Sequence, residues 1–173
     1  AGDTNGARDI FVRDLQIGTT IRANINSLGI QSTGGFSVGS CIDDGRYVAF
    51  LSTATNLVSG DTNGTFDVFV HDLQTGATTR VSTDSFGGQA SNGNSILSAA
   101  ALSISGSYLA FPSSASSLTP GDSNGVQDLF ILSFQPLGSV IPSAQDDHVT
   151  TTENIAVISN VLLDNAFGAD SDA

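Results

Sequence analysis

The chain has 173 residues, enough for one domain of ordinary size or for part of a larger protein. Seventeen acidic residues stand against five basic ones, and the formal net charge of −12 argues against binding to nucleic acid or to an anionic membrane surface. The sequence contains no run of about 18 apolar residues, so it predicts no membrane span.

Apolar residues make up 39% of the chain, and abundant Gly, Ser, Thr, Asn and Asp accompany them, which is typical of a turn-rich all-β protein. Taken in chain order, the predicted strands are short, rich in β-forming residues and bounded by turns. They cover residues 9–15, 46–52, 67–73, 78–82, 96–102, 108–111 and 128–132. We expect the strand at 96–102 to be the fourth of the second copy of a repeat.

That repeat is marked by a loop of sequence Gly-Asp-x-Asn-Gly-x-x-Asp. The three loops begin at Gly2, Gly60 and Gly121, which lie 58 and 61 residues apart. Residues between the loops recur as well, among them Arg22 with Arg80 and Gln31 with Gln89. A repeat of this length is one supersecondary unit that buries its apolar face only against a neighbour, and four short strands per repeat describe a propeller blade.

The sequence therefore predicts a partial β-propeller over residues 1–134, with about two four-stranded blades and part of a third, which is too few to close a ring. Residues 135–143 hold two prolines and a glycine and are predicted to be a linker. Residues 144–173 alternate β-type apolar runs with acidic turns and are predicted to be an incomplete β-sandwich-like tail. Because the chain opens directly on a loop motif, we expect it to be a piece of a longer protein.

The acidic loops supply several oxygen ligands at close spacing, which suits a hard cation such as Ca²⁺. The candidate ligands are Asp3, Asn5 and Asp9 in the first loop, Asp61, Asn63 and Asp67 in the second, and Asp122, Asn124 and Asp128 in the third. Asp-x-Asn-Gly is also a good plain turn, because Asx side chains bond their own backbone and glycine accepts a positive φ. The second aspartate of each copy favours calcium, whereas the acidity of the whole chain is equally compatible with a solvated surface.

A catalytic site is not predicted. Residues 35–39 match Gly-x-Ser-x-Gly around Ser37, but that motif requires a strand–turn–helix elbow, and we expect Ser37 to lie in a glycine-rich loop between strands. His71 is expected at a strand-edge surface position and His148 in the tail, so a Ser-His-Asp set is not expected. Cys41, the single cysteine, has no basic neighbour in sequence and is interpreted as a small buried hydrophobe.

The segment Asp-Gly-Arg-Tyr-Val-Ala-Phe-Leu-Ser at residues 44–52 resembles the core of TolB-like, WD40-like propeller repeats, and residues 54–70 resemble the long-repeat bacterial branch of that family. The tail is similar to the start of bacterial cadherin-like or immunoglobulin-like adhesin repeats, with Asn-Val-Leu at 160–162. Together these resemblances imply a secreted or cell-surface bacterial protein with several domains.

The resemblances imply a non-catalytic, calcium-binding segment with a structural or adhesive role and a protein or glycan surface ligand as partner. The rest of the parent chain, or neighbouring copies, would complete the propeller. Two alternatives stay open. One is the non-catalytic portion of a secreted propeller enzyme, a lyase or peptidase, and the other is a subunit of an extracellular fibre completed by neighbouring chains.

Overall fold

The computed structural model describes residues 2–43, 45–91, 93, 101–103, 107–133 and 155–158. These residues form ten β-strands and no helix, which confirms the prediction of an all-β chain. The strands are β1 (Phe11–Arg13), β2 (Thr20–Arg22), β3 (Ser37–Ile42), β4 (Tyr47–Ser52), β5 (Asp67–Asp72), β6 (Thr78–Arg80), β7 (Ala101–Leu102), β8 (Tyr108–Ser113), β9 (Asp128–Ser133) and β10 (Ile155–Ile158). None of the described segments contains a helix long and apolar enough to cross a membrane.

The central sheet is antiparallel throughout, in the order β3-β4-β5-β6. Strand β5 is buried at every position and β4 at every position but Tyr47. A strand that is covered on both faces reads as a continuous run of β-forming residues instead of an alternating one, which explains the runs of valine and phenylalanine here. Ser52 pairs with Asp67, so the connection from β4 to β5 ends with the acidic loop, whose last residue is the first residue of β5.

The other sheets cover the two faces of this central sheet. On one face, Val48, Phe50 and Phe69 form a buried cluster against which Ile10 and Val12, in and beside β1, pack. On the other face, Leu51 and Val68 share a cluster with residues of β8 and β9. Successive side chains of β4 point to opposite faces, so one strand contributes to both clusters.

The same aromatic pair is repeated from sheet to sheet. Phe50 and Phe69 stack with ring centroids 5.8 Å apart, and Phe111 and Phe130 stack at 5.9 Å. Phe11 holds the matching position in β1, but β1 pairs only with β2 in a two-stranded sheet, and Phe11 is 50% exposed. Phenylalanine thus recurs at this position of every copy, and the presence of a neighbouring strand determines whether its side chain is buried.

The third sheet has the order β10-β9-β8-β7. Strand β10, from the predicted tail, pairs with β9 in parallel, whereas β6 pairs antiparallel with the matching strand β5. The predicted linker, 135–143, and the remaining tail residues, 144–154 and 159–173, lie outside the described residues, as do residues 96–100 of a predicted strand.

Two expectations from the sequence are wrong. Strand β7 pairs with β8, so it belongs to the sheet that follows and is not the fourth strand of the second copy. Ser37 does not lie in a loop, because it begins β3 and pairs with Ser52 of β4. The register of β3 shifts between Val38 and Ser40, and this bulge beside Gly39 hides the alternating pattern of a strand.

Candidate metal centre at the three acidic loops

The three loops share one backbone conformation. Each has two glycines with positive φ, and in the second loop these are Gly60 at 74° and Gly64 at 65°. The side-chain oxygen of Asn63 accepts a hydrogen bond from the backbone N–H of Thr65 at 3.0 Å. The same contact occurs from Ala7 to Asn5 at 3.0 Å and from Val126 to Asn124 at 2.9 Å. The loops are therefore Asx turns, as the plain-turn alternative requires.

The amide nitrogen of the loop asparagine holds the ends of the loop together. Asn63 Nδ2 donates to Asp67 Oδ2 at 3.2 Å and to the carbonyl oxygen of Ala90 at 3.1 Å. In the first copy Asn5 Nδ2 donates to Asp9 Oδ1 and to the carbonyl oxygen of Ser32, each at 3.0 Å. The asparagine and the second aspartate thus have a structural function that needs no ion in these two copies.

The second aspartate is also anchored to a residue that follows the outer strand of its repeat. Ser82 Oγ donates to Asp67 Oδ1 at 2.7 Å, and both residues are fully buried. In the first copy Asn24 Nδ2 donates to Asp9 Oδ1 at 2.6 Å. Hydrogen bonds to an ionised carboxylate are among the stronger ones in proteins, so this contact fixes the start of the strand against the outer part of its repeat.

An arginine from the outer strand lies between the two carboxylates of each of these loops. Arg22 Nη2 is 3.3 Å from Asp3 Oδ1, and its Nε is 3.2 Å from Asp9 Oδ2. The second copy is more buried and its contacts are longer.

In the second copy Arg80 Nη1 lies 3.8 Å from Asp61 Oδ1 and 4.0 Å from Asp67 Oδ2. In both copies a guanidinium therefore supplies the positive charge that the sequence pattern assigns to a cation.

A glutamine completes the second cluster. Gln89 Nε2 donates to Asp61 Oδ1 at 2.9 Å and to Asp67 Oδ2 at 3.3 Å, while its oxygen accepts from the backbone N–H of Thr62 at 3.2 Å. Its counterpart Gln31 instead donates to Thr4 Oγ1 at 2.7 Å. Gln89 therefore joins the two carboxylates of its loop, whereas Gln31 bonds the side chain of Thr4.

The two arginine-containing clusters differ in their electrostatics. Burial alone would raise the pKa of Asp9, but hydrogen bonds from Asn24 and Asn5, together with the charge of Arg22, lower it below its usual value. Burial and the neighbouring Asp67 charge raise the pKa of Asp61, and Arg80 and Gln89 offset this only in part. The pKa of Asp61 is therefore raised while that of Asp9 is lowered, although each cluster pairs two carboxylates with one arginine.

The third loop has the same Asx turn, but its carboxylates lack the arginine found in the first two loops. Asp128 is 6% exposed, and its Oδ1 has no hydrogen-bond partner among the residues that the structure describes. The same is true of Asp122 Oδ1. No arginine forms an ion pair with either carboxylate, although all five arginines of the chain lie in described segments.

The sequence predicts the loop residues, but it does not predict that Arg22, Arg80 and Gln89 contact the carboxylates of the first two loops. The signal was present, because Arg22 with Arg80 and Gln31 with Gln89 recur at the repeat spacing. Among the described residues, no group of three or more His, Cys, Asp and Glu side chains is arranged to hold a metal ion. Calcium at the three loops stays a prediction.

The remaining candidates for chemistry are tied into the fold. His71 is not at the surface as expected, because it is 3% exposed and its Nδ1 lies 2.8 Å from Thr78 Oγ1. Cys41 is half-buried in β3 beside the core cluster of β4 and β8, and burial raises the pKa of its thiol. A raised pKa keeps the thiol protonated and makes it a poor nucleophile.

No protein-family model, no curated protein and no solved structure matches this chain. The described residues define the class only as an all-β protein with several antiparallel strand pairs and acidic Asx-turn loops. The resemblance to TolB-like and adhesin repeats remains a prediction that depends on the motifs.

Proposed function

We propose that this chain is a non-catalytic, structural or adhesive segment of a secreted or cell-surface bacterial protein, built from propeller-like repeats. The observation that carries the proposal is the repeated way in which the sheets stack. The face of β5 that holds Phe69 receives Ile10 and Val12 of the first repeat. The matching Phe130 of β9 lies in one cluster with Leu51 and Val68 of the second repeat.

Stacking by the same faces extends an array, which suits a scaffold. The secreted location and the bacterial source are supported by the resemblance of the sequence motifs. Repeat arrays also present long surfaces, and a protein or glycan ligand at a cell surface fits that geometry. The first two acidic loops stabilise their repeats from within, since Arg22 and Arg80 join the carboxylates of each loop to the outer strand of its own sheet.

The polar groups that could form a hydrolase site support the same proposal. Ser37 Oγ donates to Ser52 Oγ at 3.0 Å and accepts from Asn24 Nδ2 at 3.0 Å, so both of its roles are engaged. His71 pairs with Val48, four residues along β4 from the partner of Ser37. At about 3.3 Å per residue this separates the two by roughly 13 Å along the strand direction alone, too far for proton transfer.

The test is a search for turnover with the purified chain. A fluorophosphonate probe is expected to leave Ser37 unlabelled, and acidic polysaccharides and peptides are expected to stay intact, with no unsaturated sugar product seen in ultraviolet absorbance. The matched control is Ser37→Ala. Stoichiometric labelling that disappears in Ser37→Ala, or turnover of either substrate class by the wild-type chain, would overturn the non-catalytic proposal in favour of an enzyme.

A fibre subunit is the second candidate, and one observation favours it. Phe11 and Leu129 stand at repeat positions that are buried elsewhere, yet they are 50% and 37% exposed. Neighbouring copies that stack on these faces would cover both residues. Association of the chain in solution is the measurement that tests this candidate.

A further inference from the structure

The third acidic loop has the geometry of the first two without their internal positive charge. Its glycines, Gly121 and Gly125, have φ values of 87° and 68°, close to those of the other copies. Asp128 is the first residue of β9, just as Asp67 is the first residue of β5. The backbone therefore places Asp122 and Asp128 as it places Asp61 and Asp67, whose carboxylates both lie within 4.0 Å of one guanidinium nitrogen.

Each of the two aspartates has one carboxylate oxygen without a partner; Asp128 is 6% exposed, and Asp122 is half-buried. Oδ1 of Asp122 and Oδ1 of Asp128 are shielded from solvent and accept no hydrogen bond from any described residue. Burying ionised carboxylates is costly unless a charge or several hydrogen-bond donors compensate them. The first two loops meet this requirement with arginine and glutamine or asparagine, so the third loop stands out as the uncompensated member of a set of three.

The chain has no arginine or lysine left to compensate it. It contains no lysine, and Arg80 is the last of its five arginines. At the sequence distance that separates Asp67 from Arg80 and from Gln89, the positions after Asp128 are Ile141 and Thr150. Neither residue carries a positive charge. No positively charged side chain of the described residues therefore neutralises the third loop.

We propose that the third acidic loop binds one Ca²⁺ ion through the carboxylates of Asp122 and Asp128. All donors in the loop are oxygens, and no histidine or cysteine stands between residues 119 and 133, so a hard cation fits better than zinc or copper. Water and backbone carbonyls would complete the coordination number of 6–8 that calcium adopts. With two carboxylates the expected dissociation constant is on the order of 0.1–1 mM, the range of extracellular calcium modules.

In the first two loops Arg22 and Arg80 supply the positive charge, so the ion is assigned to the third loop alone. The whole chain is titrated with calcium chloride by isothermal calorimetry, and thermal melts are recorded in calcium and in EDTA. The expected result is one ion per chain and a higher melting temperature in calcium. Both effects are expected to vanish in Asp122→Asn/Asp128→Asn. Absence of binding by the wild-type chain, or binding retained in this double variant, would overturn the assignment.

A second variant keeps the test decisive if the double variant fails to fold. Arg80→Gln removes the guanidinium that lies between Asp61 and Asp67, and it is expected to create a second calcium site, so that two ions bind per chain. The matched control is Arg13→Gln, because among the described residues the Arg13 side chain bonds only the exposed Thr20, at 2.8 Å, and this variant is expected to keep one ion. One ion in Arg80→Gln, or three in the wild-type chain, would show that arginine does not determine which loop binds calcium.

Discussion

At the scale of single residues, corresponding positions of two copies of the repeat hold side chains with different chemical properties. Arg13 Nη1 bonds Thr20 Oγ1 at 2.8 Å at the surface, and His71 Nδ1 meets Thr78 Oγ1 at the same distance in the interior. The difference comes from the neighbouring repeat. The hydroxyl of Thr78 donates to the carbonyl oxygen of Ile25, so it must accept from His71, which therefore carries its proton on Nδ1.

The burial of His71 makes folding sensitive to acid. Burial lowers the pKa of His71 below its usual value of 6.5, and the charge of Asp72 offsets this only in part. The unfolded chain therefore binds the proton first, and the contribution of His71 to stability is present above about pH 6.5 and lost as the pH falls below it. We expect His71→Gln, which can still donate to Thr78, to flatten the decline of melting temperature between about pH 6.5 and pH 5.

Arg13→His is the matched control for this measurement, since it places a histidine at the exposed counterpart of the same repeat position. It is expected to leave the pH dependence of the melting temperature close to that of the wild-type chain. A decline in His71→Gln as steep as in the wild-type chain would contradict the role assigned to His71.

At the scale of strands and loops, the sequence predicts best where a strand is continuous. The predicted strands at 46–52 and 67–73 agree with β4 and β5 to within one residue at each end, because both are runs of β-forming residues between clear turns. Strand β3 was missed because Gly39 and the bulge beside it interrupt the alternation. The sequence shows that the arginine at position 80 recurs, but it does not predict the contact of Arg80 with Asp61. Contacts between residues that are distant in sequence depend on sheet pairing, which no local pattern reveals.

The loop before β3 contains a glycine that packing requires. A Cβ added at Gly35 would lie 2.5 Å from the carbonyl carbon of Thr53 and 2.6 Å from the backbone nitrogen of Ala54. In the next repeat Gly93 lies against the backbone of Ser114 and Ala115 in the same way. The close approach is therefore a feature of the repeat and not of one loop.

We expect Gly35→Ala to lower the free energy of unfolding by about 1–3 kcal/mol, because backbone atoms must move to admit the methyl group. Urea denaturation followed by circular dichroism measures the change. Ser40→Ala, at an exposed position of β3, is the control and should change stability by less than about 0.5 kcal/mol. Equal stability of the two variants would show that the strand end moves to accommodate a Cβ without cost.

At the scale of the whole molecule, the two ends of the stack present complementary faces. Within the chain, the face that holds Val68 is covered by the repeat that follows, and the face that holds Phe69 by the repeat that precedes it. Leu129 matches Val68 and is open in the third repeat, while Phe11 matches Phe69 and is open in the first. The contact that joins successive repeats is thus available between one copy and the next.

We therefore expect the chain alone to associate, since a head-to-tail contact of two different faces leads to rings or open filaments and exposed apolar faces recruit neighbours. Sedimentation velocity should show an average mass that rises with protein concentration. Phe11→Ser and Leu129→Ser should each reduce this rise, because each removes apolar area from one partner of the contact. Leu15→Ser is the control, since Leu15 is 88% exposed in the turn between β1 and β2, away from both faces. A monomer at every concentration, with a sharp cooperative melt, would mean that the described sheets form a self-sufficient fold and that neither open face is an interface.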